Sequence, residues 1–174
     1  PTSHSLMVPQ NNAGSILGLA YHRGSQRVFA GAFTKRHAGF RNNNKNTSSN
    51  DPTGEIFISA NTGTSASVFL NLNTLFGSNV AGANPHDITN YENDSTAFDA
   101  VGKTAIGDID LSDDEQTLYA VNLANKRLYA IPLGSGVPTA PTNSSQVSTY
   151  DLVGLSGIAS GTCASADLRP GGLK

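Results

Sequence analysis

One strand pair occurs twice in this chain, ninety residues apart and in the same phase. The first copy runs Leu19-Ala20-Tyr21-His22-Arg23-Gly24-Ser25-Gln26-Arg27-Val28-Phe29-Ala30, and the second runs Ile109-Asp110-Leu111-Ser112-Asp113-Asp114-Glu115-Gln116-Thr117-Leu118-Tyr119-Ala120. In each, an alternating segment reaches a polar turn, and a glutamine two residues ahead of an aliphatic–aromatic pair opens a second segment. Alternation of this kind puts successive side chains on opposite faces of a strand. Each copy is followed by a further strand candidate, Gly54–Ser59 after the first and Lys126–Ile131 after the second. Both read as the third strand of an antiparallel meander.

A small antiparallel sheet cannot bury both apolar faces alone, whereas sheets stacked side by side cover one another. The repeat therefore predicts an all-β fold of β-propeller-like blades, each a meander of antiparallel strands. Residues 1–174 form one domain in this reading, with blade-like units over about 16–72 and 105–152. A closed propeller needs at least about four blades of roughly forty residues, so a chain of 174 residues with two such units is expected to be an incomplete propeller or a segment of a larger one. Abundant Asn, Ser and Thr, 18 glycines and no tryptophan favour turns and strands over long helices.

The net charge of −2 offers no electrostatic footprint for nucleic acid or an anionic membrane. No run of about eighteen apolar residues suits a membrane span, and residues 1–10 lack the apolar centre of a signal peptide. At the other end, Asp167-Leu168-Arg169-Pro170-Gly171-Gly172-Leu173-Lys174 reads as the start of a further blade. The lone Cys163 just before it is either a spare small residue or one half of a disulfide whose partner lies elsewhere.

Three polar excursions separate the strands. The first, His37–Thr53, contains a run from Arg41 to Pro52 with no apolar anchor and reads as an exposed loop. The second, Leu75–Thr104, contains an Asn84-Pro85-His86-Asp87 turn and a short helix candidate from Asp94 as N-cap to Gly102 as terminator. The third, Gly134–Gln146, leads to a last strand near Tyr150-Asp151-Leu152.

Several of these segments carry a family likeness. Residues 29–40, Val68-Phe69-Leu70-Asn71-Leu72 with Leu75-Phe76-Gly77, Ala81–Asp87, and Gly107-Asp108-Ile109-Asp110-Leu111-Ser112 on to Asn122-Leu123 resemble the propeller-like region of large, multi-repeat, adhesin-like bacterial cell-surface proteins. The likeness extends over most of the chain, from about Leu17 to Lys174. It implies an extracellular or cell-surface location, a structural or adhesive role, and other copies or segments of a parent surface protein as partners. It supplies no catalytic residue.

The chemistry-bearing residues admit two readings each. His37, His86 and Asp87 sit at excursion ends and, with Asp108, would furnish a rim site for a propeller enzyme or carbohydrate-binding domain if three of them converged. No HxH or HExxH spacing supports this, and loop-pinning hydrogen bonds are the plainer role. His22, in the first hairpin turn, is expected to face solvent. Asp108, Asp110 and Asp113 lie in the densest acidic group and are candidates for calcium, which favours oxygen ligands. The EF-hand spacing fails, and a Ser-Asp-Asp turn serves equally as a hydrogen-bonded hairpin cap. No GxSxG, SxxK, P-loop or GxGxxG is present. Three Asn-x-Ser/Thr sequons, at Asn46, Asn93 and Asn143, mark candidate glycan sites in exposed loops.

Overall fold

The computed structural model describes residues 8–41, 51–87, 89–90, 92–155 and 168–173. Two four-stranded antiparallel sheets dominate it. The first comprises β1 (Ile16–His22), β2 (Arg27–Ala32), β3 (Glu55–Ser59) and β4 (Ala66–Asn71), and the second comprises β5 (Ile106–Leu111), β6 (Thr117–Asn122), β7 (Arg127–Pro132) and β8 (Ser148–Asp151). Each sheet is a meander, with strands paired in chain order. Helix is confined to α1 (Gln10–Ala13), α2 (Leu72–Phe76), α3 (Ser95–Phe98) and two 3-10 turns at Pro52–Gly54 and Ser144–Gln146. Among the described residues the sheets close neither a barrel nor a ring.

The two opening hairpins share one register. Leu19 pairs with Ala30, Ala20 with Phe29 and Tyr21 with Val28; in the second sheet Ile109 pairs with Ala120, Asp110 with Tyr119 and Leu111 with Leu118. The irregularity between Ile16 and Leu19 recurs between Ile106 and Ile109. The turns differ in detail: Gln26 takes positive φ in the first, Glu115 in the second.

Packing between the sheets follows from small residues on one side and branched ones on the other. A Cβ on Gly18 would lie 2.5 Å from the Ile109 nitrogen, and one on Gly31 would lie 2.7 Å from Ile106 Cγ2. Only glycine permits that approach. The resulting core joins Ala20, Phe29, Ile56, Ile58 and Leu70 of the first sheet to Ile106, Ile109, Leu118, Ala120, Tyr129 and Ile131 of the second. Phe29 and Phe69 meet edge-on, as do Phe76 of α2 and Tyr129. A second cluster on the opposite side of the first sheet gathers Ala30, Ala32, Phe40, Phe57 and Ala105, with Ala13 of α1 and the partly buried Val8 against it.

This arrangement sorts the residues expected to supply apolar sheet surface. Phe29, Phe57, Ile109, Leu118 and Ile131 are buried, and Val28, Leu111, Tyr119 and Leu128 are half-buried. Leu19 departs from the expectation, at 58 % exposure against 2 % for Ile109, its counterpart in the repeat. The reason is directional: Ile109 faces the first sheet, and Leu19 faces away from the second.

Truncation separates these positions. Ile109→Ala is expected to cost about 2–5 kcal/mol, as for a buried aliphatic, whereas Leu19→Ala stays within about 0.5 kcal/mol, as for an exposed site. Urea unfolding followed by far-ultraviolet circular dichroism measures both, and equal losses would contradict the packing described.

Candidate functional site

The second excursion and the end of β2 come together around one buried carboxylate. Asp94 and His86 are both fully buried, with His86 Nδ1 2.8 Å from Asp94 Oδ2. The His37 backbone N–H donates to the same oxygen at 2.9 Å, and the Asp87 N–H approaches Oδ1 at 3.3 Å. Phe40 packs edge-on against the His86 ring, with centroids 5.5 Å apart. Asp94 therefore ties the distant His37 segment to its own neighbourhood at His86 and Asp87. Burial pushes its carboxyl upward, but the donors from His37, His86 and Asp87 hold it below the usual aspartate range.

Asp94 was expected to cap the helix that follows. It stands at the N-cap of α3 in left-handed backbone, yet its side chain makes no cap hydrogen bond. The carboxylate turns inward because the interior N–H groups and the imidazole offer stronger, desolvated donors than an exposed single-turn helix does. Its role as anchor went unseen in the sequence, where Asn93-Asp94-Ser95 reads as a sequon.

The rim side chains take different partners. His86 points into the protein, and Asp87 turns its carboxylate to the N–H and hydroxyl of Thr89, which lower its pKa. The exposed His37 lines an open cavity of about 740 Å³ with Gln10, Gly14, Ser15, Ile16, Lys35, Ala38 and Gly39. His86, Asp87 and Asp108 are not among its walls.

The acidic group at the second hairpin is likewise committed to backbone. Asp108 accepts from its neighbour Ile109 N–H through Oδ1 and from Leu173 N–H through Oδ2, while its own N–H donates to the Gly171 carbonyl. The described tail, residues 168–173, is thereby fastened along β5. Asp110 accepts from Leu111 N–H, and Asp114 from Ser112 Oγ and Gln116 N–H. Among the described residues, no three His, Cys, Asp or Glu side chains form a group suited to a metal ion. The calcium candidates Asp108, Asp110 and Asp113 form no such group.

Glu115, the last carboxylate of the acidic group at the second hairpin turn, clamps the two hairpins together. Its Oε1 accepts from the Arg23 backbone N–H and from Arg23 Nε, both at 2.9 Å, and its Oε2 accepts from Gly24 N–H at 3.0 Å. These bonds, with His22 nearby, lower its pKa to about 2. His22 corrects the expectation of a solvent-facing imidazole: it is 4 % exposed. Its Nδ1 accepts the Ser25 backbone N–H at 3.0 Å and lies 4.0 Å from Glu115. The turn of the second sheet covers it, a contact that spacing within either hairpin does not reveal.

Two further locks were not legible. Arg41 grips the buried Glu55 at the start of β3 through Nε and Nη2, at 2.6 and 2.7 Å; burial raises the Glu55 pKa against the opposing pull of the arginine. Asp51 accepts from Thr53 and Asn84 N–H groups, and its carbonyl accepts from the Asn71 and Asn73 amides. Asn73 Oδ1 in turn accepts from Ala81 N–H.

Of the sequons, Asn46 lies outside the described residues, as does Cys163. Asn93 is exposed, and its carbonyl accepts from Arg36. Asn143 is exposed and forms a reciprocal capping box with Gln146. No helix among the described residues is long and apolar enough to cross a membrane. Comparison of the chain with protein-family models, with curated proteins and with solved structures finds no match.

The Glu115 clamp has a pH signature. A carboxyl whose folded pKa lies below its unfolded value stabilises the fold above the unfolded value, and that contribution is lost as pH falls through the folded one. Acid unfolding should therefore weaken the protein between about pH 4.5 and about pH 2, and Glu115→Gln should flatten that limb. An unchanged limb in the variant would show that the clamp is absent in solution. At the buried anchor, His86→Ala is expected to cost about 3–5 kcal/mol, since it empties a buried ring site and removes one donor from the Asp94 carboxylate; thermal unfolding at neutral pH measures it.

Proposed function

We propose that this chain is a non-enzymatic structural or adhesive module of a bacterial surface protein, built from two propeller-like blades. The observation that carries the reading is the pair of meanders with a common register, stacked through the glycine-lined contact of Gly18 and Gly31. Stacking by repetition extends a scaffold without requiring a catalytic centre. The fate of the polar side chains supports the same reading. Asp94, Glu115, Asp51 and Glu55 spend their carboxylate acceptors on backbone N–H groups, arginine or histidine, and so fix loops rather than present reactive groups to solvent.

The cell-surface part of the proposal rests on the family likeness and on the exposed Asn93 and Asn143 in sequons. Other segments or copies of the parent protein, and surface glycans, are the partners it implies. In this reading Phe29, Phe40, Phe57 and Tyr129 serve packing, and all four are buried.

Protease shaving of intact source cells, with peptides read by mass spectrometry, tests the location. Peptides from the exposed loop around Asn143 are expected in the released fraction while a cytosolic marker is retained. The purified chain is expected to show no turnover on ester, glycoside and peptide substrates. Hydrolysis that disappears in His37→Ala would overturn the non-enzymatic reading.

A further inference from the structure

The repeat makes one face of the first sheet comparable, residue by residue, with a face whose packing is visible. Ile109, Leu111 and Leu118 are the counterparts of Leu19, Tyr21 and Val28 in the shared register. In the second sheet, Ile109 is 2 % and Leu118 0 % exposed, packed toward Gly18, Ala20 and Phe29 of the first. In the first sheet Leu19 is 58 % and Tyr21 54 % exposed, Val28 is half-buried, and the adjoining Leu17 is 52 % exposed. The far side of this face, at Ala30 and Phe57, is covered by Val8 and Ala13. The largest apolar exposure on this face therefore lies on β1, the counterpart of the strand β5 that makes the contact in the second sheet.

We propose that Leu17, Leu19, Tyr21 and Val28 form a docking face for another four-stranded meander, one that presents glycine or alanine at the positions held here by Gly18, Ala20 and Gly31. The proposal rests on the reading of the chain as stacked meanders and names the chemistry of the next partner. The occupant follows from continuity with the sheet-to-sheet interface already present. That interface works because a branched side chain at the Leu19 position meets a partner reduced to backbone and small side chains.

A second copy of this chain does not supply such a partner. Its Gly18, Ala20 and Gly31 are covered by its own second sheet. The outer face of that second sheet carries Asp108 and Asp110 where the first has Gly18 and Ala20, with Leu173 already bonded to Asp108. Docked in the same way, it would bring carboxylates against Leu19, and their desolvation opposes association. A distinct meander with a small-residue face avoids that penalty.

The test lengthens the chain. Residues 8–105, carrying Tyr21→Phe so that one Tyr21 remains, are placed directly ahead of Ile16. This gives the native Leu19 face an upstream Gly18, Ala20 and Gly31 at the spacing the chain itself uses. Hydroxyl-radical footprinting read by mass spectrometry then compares Tyr21 in the lengthened and original chains. Loss of labelling at Tyr21 in a monomeric lengthened chain, restored by Leu19→Asp in the downstream unit, is the expected result. Labelling equal to that of the original chain would overturn the proposal, whether or not circular dichroism shows added strand, because a meander that fails to form there gains nothing from this face. An original chain that sediments as a dimer with Tyr21 already protected would overturn it too, by showing that a second copy is the occupant. Surface shaving and turnover are independent of all three results, so the docking proposal and the structural reading fail separately.

Discussion

The close approach of β5 to β1 governs the molecule. Where a side chain at position 18 would collide with the Ile109 backbone, glycine lets two sheets meet at main-chain distance. Ile106 and Ile109 then reach across to Gly31, Ala20 and Phe29, and one core serves both meanders. Separated, each sheet would return to water the apolar face it contributes to that core, at a cost proportional to the area exposed. The sheets therefore depend on each other, and the contact that joins them depends on two glycines.

Long loops demand their own fastening, because a buried turn carries backbone donors and acceptors that the sheets do not satisfy. Here the fastening is ionic and amide-based. Asp94 ties His37 to His86 and Asp87, Glu115 ties the second hairpin to Arg23 and Gly24 of the first, and Asn73 links the Asp51 turn to Ala81. A carboxylate accepts several bonds at once, and charge-assisted bonds to a desolvated group are stronger than neutral ones. The same residues that look like chemistry in a sequence thus become joints. Their placement explains why excursions as long as Leu75–Thr104 stay packed over a small core without extended helix.

Strand phase was legible because it is a local property. Alternation fixes which side chains share a face, and a polar turn at matching positions fixes where the chain doubles back; β1, β2, β5 and β6 follow from these alone, as do the third strands at Glu55–Ser59 and Arg127–Pro132. The irregularity after Ile16 and after Ile106 has no such local mark, although Gly18 and Gly107 sit within it. The short helix at Ser95–Phe98 was readable from Asp94 and its spacing, but the direction taken by the Asp94 carboxylate was not. Only the fold brings the His37 N–H and the His86 ring to it.

What the sequence determined by itself is the first three strands of each meander, their register within each opening hairpin and the likeness of the two repeats. Tertiary structure decided which face of each meander is covered. Leu19 and Ile109 occupy the same place in the repeat, yet one faces solvent and the other the core, because a stack has two ends and a repeat has none. It also decided that His22 is buried, that Glu55 pairs with Arg41 and that Glu115 spans the hairpins. These outcomes turn on contacts between residues distant in the chain, and spacing along the chain does not encode the distance between surfaces that meet only after folding.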